Sequence, residues 1–233
     1  MGQIFQTGLV SILSDHRKMP PVILLHLEPE EFIGNQLNDD IQNLKFYYSK
    51  NELVTSYLAN LSYFEKFKFY FHSYRYNGRV ITLVKNYFQT LYKLDEGNGY
   101  SPIKRSDRDS VNTLYSIKNI SAQIEGRFNL EQWNFFEKFL MICKQNNTKV
   151  ICFTSPVYKN FNSYPKTMKT IDSLMERHRI QYINYLKYPI EILDEHPGLW
   201  RDRQHLNHDG ARIESGYLAG AVNEILSLKD SVK

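Results

Sequence analysis

The chain has 233 residues, 42% of them hydrophobic and 23% charged, and a formal net charge of +4. That composition is globular and excludes a disordered or low-complexity chain. The positive charge is scattered in pairs such as Lys66 and Lys68 or Arg201 and Arg203, with no basic block, so nucleic acid is not an expected partner.

No window approaches the roughly 18 apolar residues of a membrane-crossing helix, so no transmembrane segment is expected. The start, MGQIFQ, lacks a basic leader and a cleavage site. Gln6 stands where a myristoylation signal carries Ser or Thr. The two cysteines, Cys143 and Cys152, fall on apolar runs and read as small buried hydrophobes, not as a disulfide or zinc pair.

Residues 3–14 place Ile4, Phe5, Leu9, Ile12 and Leu13 at helical spacing, and Pro20-Pro21 are expected to stop that helix. PVILLHLEP follows, a continuous apolar run bounded by prolines that predicts a buried parallel strand. Residues 41–95 are crowded with Tyr and Phe and predict two or three helices broken near Asn77-Gly78. Residues 95–128 carry the Gly, Ser, Pro and Asp of a long loop. Together 41–128 read as a helical and loop insertion within a single α/β domain spanning 1–233. The bland alternative, that the aromatics are ordinary core, stands beside a glycan or lipid groove.

From Asn129 the pattern is regular. Asn129 is a natural cap for a helix whose face carries Leu130, Trp133, Phe136, Leu140 and Cys143. KVICFTSP predicts a second buried strand. Pro165 opens a helix with Met168, Ile171, Leu174 and Met175 on one side. IQYIN predicts a third strand. A final helix starts at about Asp209, with Ala211, Leu218, Ala221, Val222, Ile225 and Leu226 inward. Strands alternating with helices predict an α/β fold: a parallel sheet with crossover helices in a flavodoxin-like three-layer arrangement. Sites in such folds gather at the carboxyl ends of the strands. Here those ends are Glu28-Pro29, Thr154-Ser155-Pro156 and the stretch after IQYIN.

That last stretch contains Asp202-Arg203-Gln204-His205. Histidine is the usual base near neutral pH, and a carboxylate on one ring nitrogen fixes its tautomer and stabilises the imidazolium. Three residues of separation in a turn lets Asp202 reach His205 unaided, and Asn207 can cap the last helix and hold the turn in place. The structural alternative is an Asp202 paired with Arg201 or Arg203 and an idle turn histidine. A metal reading would use His205, His208, Asp202 and Asp209. However, His208 and Asp209 fall in the first helical turn, where an acid simply suits the helix dipole, so no metal or other cofactor is expected. His16, His26, His72, His178 and His196 carry no motif and read as surface or packing residues.

The run Asp202-Arg203-Gln204-His205-Leu206-Asn207, followed by Gly210-Ala211, resembles the Asp-x-x-His motif of the SGNH (GDSL-type) hydrolase and acyltransferase superfamily. More narrowly it resembles bacterial extracytoplasmic SGNH-like proteins of the cell envelope. Thr154-Ser155-Pro156 and Glu28-Pro29 match the strand ends of that group, and the resemblance covers about the first 35 residues and then 129–228. It implies an esterase or O-acyltransferase acting on a cell-envelope glycan or lipid ester, outside the cytoplasm, with no cofactor. It implies Asp202 and His205 as two members of a Ser-His-Asp triad, and Gly2 and Asn35 as candidate oxyanion donors. The family's Gly-Asp-Ser turn has no counterpart here. Ser14 precedes every strand, and Ser155 follows the wrong one, so the nucleophile is expected upstream of Met1. The alternative is a non-catalytic SGNH-like binding or scaffold protein, or an inactive fragment. Neither the substrate nor the oligomeric state follows from the sequence.

Overall fold

The computed structural model describes residues 2–34, 39–61, 63–76, 87, 126–158, 165–202 and 204–227. The chain divides into two compact units. One comprises Met1–Pro20, Leu37–Ser101 and Glu131–Asn147, and the other Pro21–Gln36, Pro102–Leu130 and Thr148–Lys233.

The first unit is helical where it is described. It contains α1 (Gln3–Asp15), a 3-10 segment (Asp39–Tyr47), α2 (Glu52–Leu61), α3 (Tyr63–Lys68), α4 (His72–Tyr76) and most of α5 (Leu130–Gln145). Ile4, Ile12, Leu44, Val54, Leu58, Phe69 and Phe135 form its core. The expected break at Asn77-Gly78 and most of the 95–128 loop lie outside the described residues.

Two expectations for the helices are corrected. The prolines do not stop α1. It ends at Asp15, as the 3–14 periodicity expects, five residues before them, and beyond it Arg17 takes φ 54°, where the Arg17 N–H donates to the Ser14 carbonyl and the Lys18 N–H to the Leu13 carbonyl. Those two bonds satisfy carbonyls that the end of the helix leaves bare. The buried stripe of α1 also differs: Leu9 is exposed, and Gln3, Thr7 and Gly8 are buried. Thr7 can sit inside because its Oγ1 donates to the Gln3 carbonyl at 2.7 Å and lies 2.9 Å from the Phe135 carbonyl. On α5, Trp133, Phe136 and Cys143 are buried as expected, but Leu130 is exposed and Phe135 and Phe139 take its place inside. Both cysteines are free and buried, and burial pushes the Cys143 thiol up to about 12.

The second unit is the α/β part. Strands β1 (Val22–His26), β2 (Lys149–Thr154) and β3 (Gln181–Asn184) form a three-stranded parallel sheet in the order β1-β2-β3. Leu24 pairs with Ile151, His26 with Phe153, and Thr154 with Asn184. Helix α6 (Lys166–Arg177) links β2 to β3, burying Met168, Ile171 and Met175. Helix α7 (Glu191–Glu195), a 3-10 turn (Pro197–Leu199) and α8 (His208–Ser227) follow β3. The predicted parallel pairing is therefore present. The expected burial of both faces of β1 is not, since Leu25 is buried while Leu24 is 44% exposed. That alternation is the mark of a strand with one covered face.

Candidate active site

The carboxyl ends of β1 and β2 are tied together. Thr154 Oγ1 lies 3.0 Å from the Leu27 carbonyl and 2.7 Å from the Tyr182 hydroxyl on β3. The Ser155 N–H donates to His26 Nε2 at 3.4 Å. His26, Glu28 and Ser155 are thus held at one edge of the sheet by backbone pairing and these cross-links.

The turn after α7 is built around a buried Trp200, whose Nε1–H donates to the Leu193 carbonyl at 2.8 Å and whose ring meets Tyr158 edge-on. Trp200 pairs antiparallel with Leu206, and the Arg201 N–H donates to the His205 carbonyl at 2.8 Å, which brings the two sides of the turn together. Inside this loop Asp202 Oδ1 accepts the N–H of Gln204 at 2.9 Å and of His205 at 3.0 Å. An Asp two or three residues before its donors is the natural residue for such a turn. The same carboxylate lies 2.8 and 2.9 Å from His205 Nδ1.

Asn207 then locks the loop to the last helix. Its backbone N–H donates to the Leu199 carbonyl at 3.0 Å and its Nδ2 to the Gly198 carbonyl at 2.6 Å. Its Oδ1 accepts the N–H groups of Asp209 at 3.1 Å and Gly210 at 3.0 Å, capping α8. The cap anticipated at Asn207 is the one observed.

Charge follows from this arrangement. Partial burial pushes the Asp202 carboxyl upward, but the Gln204 N–H, the His205 ring and its charge, and the His205 N–H together hold it below the ordinary 3.8. An ionised Asp202 accepts from Nδ1–H, which leaves Nε2 as the proton-accepting nitrogen. The pair is more exposed than a buried catalytic dyad, with side-chain exposures of 62% for His205 and 46% for Asp202.

A cavity of about 550 Å³ opens at this edge. His26, Glu28 and Glu30 line it from the end of β1, Thr154, Ser155 and Val157 from the end of β2, Gln204, His205 and Leu206 from the turn, and Ala211 and Glu214 from α8. Burial holds the Glu214 carboxyl above the ordinary 4.5, opposed by a hydrogen bond from the Ser155 hydroxyl. Burial also raises Glu30 and lowers His26 below 6.5, although Glu28 pulls His26 back up.

Of the residues anticipated from the sequence, Asp202 and His205 come together in one turn and His205 lines the cavity. Gly2 belongs to the helical unit, where its carbonyl accepts the N–H groups of Phe5 and Gln6 at the start of α1. Asn35 lies outside the described residues. Ser14 also belongs to the helical unit, its hydroxyl 2.9 Å from Asn146 Nδ2. Ser155 lines the cavity. His208 and Asp209 open α8, and among the described residues no group of three His, Cys, Asp or Glu side chains is placed to hold a metal.

Three residues were missed. His26, expected to be a packing residue, lines the cavity because its strand ends at the site. Glu214 was unmarked in the sequence. It lies nine residues after His205, which brings it round α8 to the cavity side. Tyr182 was read only as part of a strand.

No family model matches the sequence, and no curated protein matches it. Among the described residues no helix is long and apolar enough to cross a membrane.

Proposed function

We propose that this chain is an SGNH-like esterase or O-acyltransferase acting on a glycan or lipid ester of the cell envelope, with Asp202 and His205 as its orienting acid and its base. The observation that supports this is the Asp202–His205 pair, with Nδ1 fixed at 2.8 and 2.9 Å, on the wall of a cavity at the strand ends. A 550 Å³ cavity is in the range that takes a small-molecule ligand.

In this reading a hydroxyl oxygen attacks the ester carbonyl carbon and His205 Nε2 takes the hydroxyl proton. Asp202 stabilises the imidazolium as it forms. Collapse of the tetrahedral intermediate breaks the bond to the leaving alkoxide, which receives the proton back from His205. The acyl group then passes to water or to a sugar hydroxyl, with His205 again removing the proton of the acceptor. The attacking serine is assigned outside the described residues, because Ser155 follows β2 and not the first strand. The exposure of the His205–Asp202 pair favours the second reading, a non-catalytic binding protein that keeps the turn and the cavity without a nucleophile.

A serine-reactive fluorophosphonate distinguishes the two. It is applied to the protein isolated from its source cells and to His205→Ala, and the labelled peptide is mapped by mass spectrometry. Labelling of one serine that disappears in His205→Ala is the expected result. Absence of His205-dependent labelling leaves the binding reading and removes the enzyme.

A further inference from the structure

The helical unit carries a run of aromatic side chains that its own packing turns outward. Phe69, within that run, is buried in the core, its ring 5.2 Å from Tyr48 and 5.6 Å from Tyr74. Arg75 is buried as well. Its Nε–H donates to the Phe69 carbonyl at 2.7 Å and its Nη1 to the Tyr48 carbonyl at 3.0 Å. With Phe69 and Arg75 fixed inward, the turn between α3 and α4 leaves Phe67, Tyr70 and Phe71 more than half exposed, and Phe64, one turn earlier on α3, is 75% exposed. The Phe67 and Phe71 rings meet edge to face at 5.4 Å, so they form one surface. Exposed aromatics scattered singly are ordinary, but four within eight residues mark a surface that a partner covers.

The charge around the cluster selects that partner. Residues 63–76 carry Lys66, Lys68 and Arg75 against Glu65 alone. Lys45 and Lys68 each stand 5.6 Å from the centre of the Tyr74 ring. Lys50 and Glu52 line a hollow together with Tyr70. The bonds from Arg75 go to carbonyls, which do not cancel its charge. Rings flanked by lysines match the boundary between lipid tails and anionic headgroups. There the rings enter the acyl layer, and lysine stems extend their ammonium groups to the phosphates. An apolar groove on a protein would instead bury those ammonium groups unpaired, at high cost.

We infer that Phe64, Phe67 and Phe71, flanked by Lys45 and Lys68, form a docking surface for an anionic lipid membrane. The surface lies within the helical unit and does not depend on the ester reading.

The test uses the full chain and two kinds of vesicle, phosphatidylcholine alone and phosphatidylcholine mixed with phosphatidylglycerol. Sedimentation with the anionic vesicles is expected, and it should weaken as salt is raised. Lys68→Ala should reduce the affinity roughly fivefold, and the double variant Phe67→Ser, Phe71→Ser at least ~tenfold. Phe67→Trp places an indole on the surface, and its emission should move to the blue when anionic vesicles are added. Thermal melts matching the parent establish that the variants are folded.

Failure to sediment with anionic vesicles overturns the inference. So does equal affinity for neutral vesicles, binding that survives in the double variant, or an unshifted emission from Phe67→Trp. A parent that dimerises, with a monomeric double variant and no vesicle binding, also overturns it and makes the face a contact between two copies of the chain.

Discussion

Gly210 stands directly against the backbone carbonyl of Leu199. A Cβ added at Gly210 would fall inside the van der Waals sphere of that oxygen and would also press on Leu206. This contact is what allows the loop carrying Asp202 and His205 to lie on the first turn of α8.

Gly210→Ala therefore sets two effects against each other. Alanine gains about 1 kcal/mol over glycine in a helix interior. Overpacking typically costs about 1–3 kcal/mol, and a backbone carbonyl cannot rotate away as a flexible side chain could. The clash should win. The variant is expected to lose about 1–2 kcal/mol in urea denaturation, and the His205 ring resonances should shift. A variant more stable than the parent would show that the loop moves aside freely.

Asn207 holds the same junction with its side chain. Asn207→Ala removes both the cap of α8 and the donor to Gly198, with an expected loss of about 2 kcal/mol. Asn207→Asp retains the cap oxygen and loses only the donor, so it should fall between the parent and the alanine variant. The unfolding midpoints of the three proteins, measured side by side, check that order.

On the proposed chemistry, His205→Ala should lower kcat/KM for a soluble acetate ester by at least ~100-fold, the usual weight of a positioned base. Asp202→Asn should also act mainly on kcat, because the neutral amide no longer fixes the Nδ1–H tautomer. The melting temperature of His205→Ala should change little, since the side chain is exposed. Equal rates in the parent and the two variants would place the reaction elsewhere.

His26 supplies a pH dependence. Partial desolvation of a ring that is still exposed at the strand end holds its folded-state pKa below 6.5, and Glu28 only partly opposes this. The unfolded chain therefore binds a proton more readily than the folded one between the folded pKa and 6.5. Stability should rise with pH across that window and flatten above 6.5. Protonation would also remove the acceptor that Nε2 offers to the Ser155 N–H. His26→Gln should flatten the acid limb of a plot of melting temperature against pH. An NMR titration should place the His26 ring below 6.5, and a midpoint at or above that value would contradict the burial argument.

The parallel sheet was legible because periodicity and proline boundaries mark strands, and β2 and β3 fell where the apolar runs lie. The Asp202–His205 turn was legible because all its parts are local in sequence: the acid, the base, the Asn cap and the glycine lie within nine residues. The rest depended on distance. His26, Ser155 and Glu214 share a cavity only because β1, β2 and α8 converge, and no local pattern encodes that convergence. The extent of α1 was legible from its 3–14 periodicity, whereas the turn that ends it, through the left-handed Arg17, carries no residue that marks it. The division into two units was equally invisible, since both draw on segments scattered along the chain.

The acid and the base are joined by three peptide bonds and by hydrogen bonds within their own loop. Any rocking of α8 against the sheet would carry them together as one rigid piece. Such motion would change how far His205 stands from the opposite wall of the cavity without altering its partnership with Asp202. A substitution in the packing beneath α8 can move the imidazole while leaving its bond to Asp202 intact, and the segment 199–211 is a natural cassette for transplantation onto another strand–helix junction.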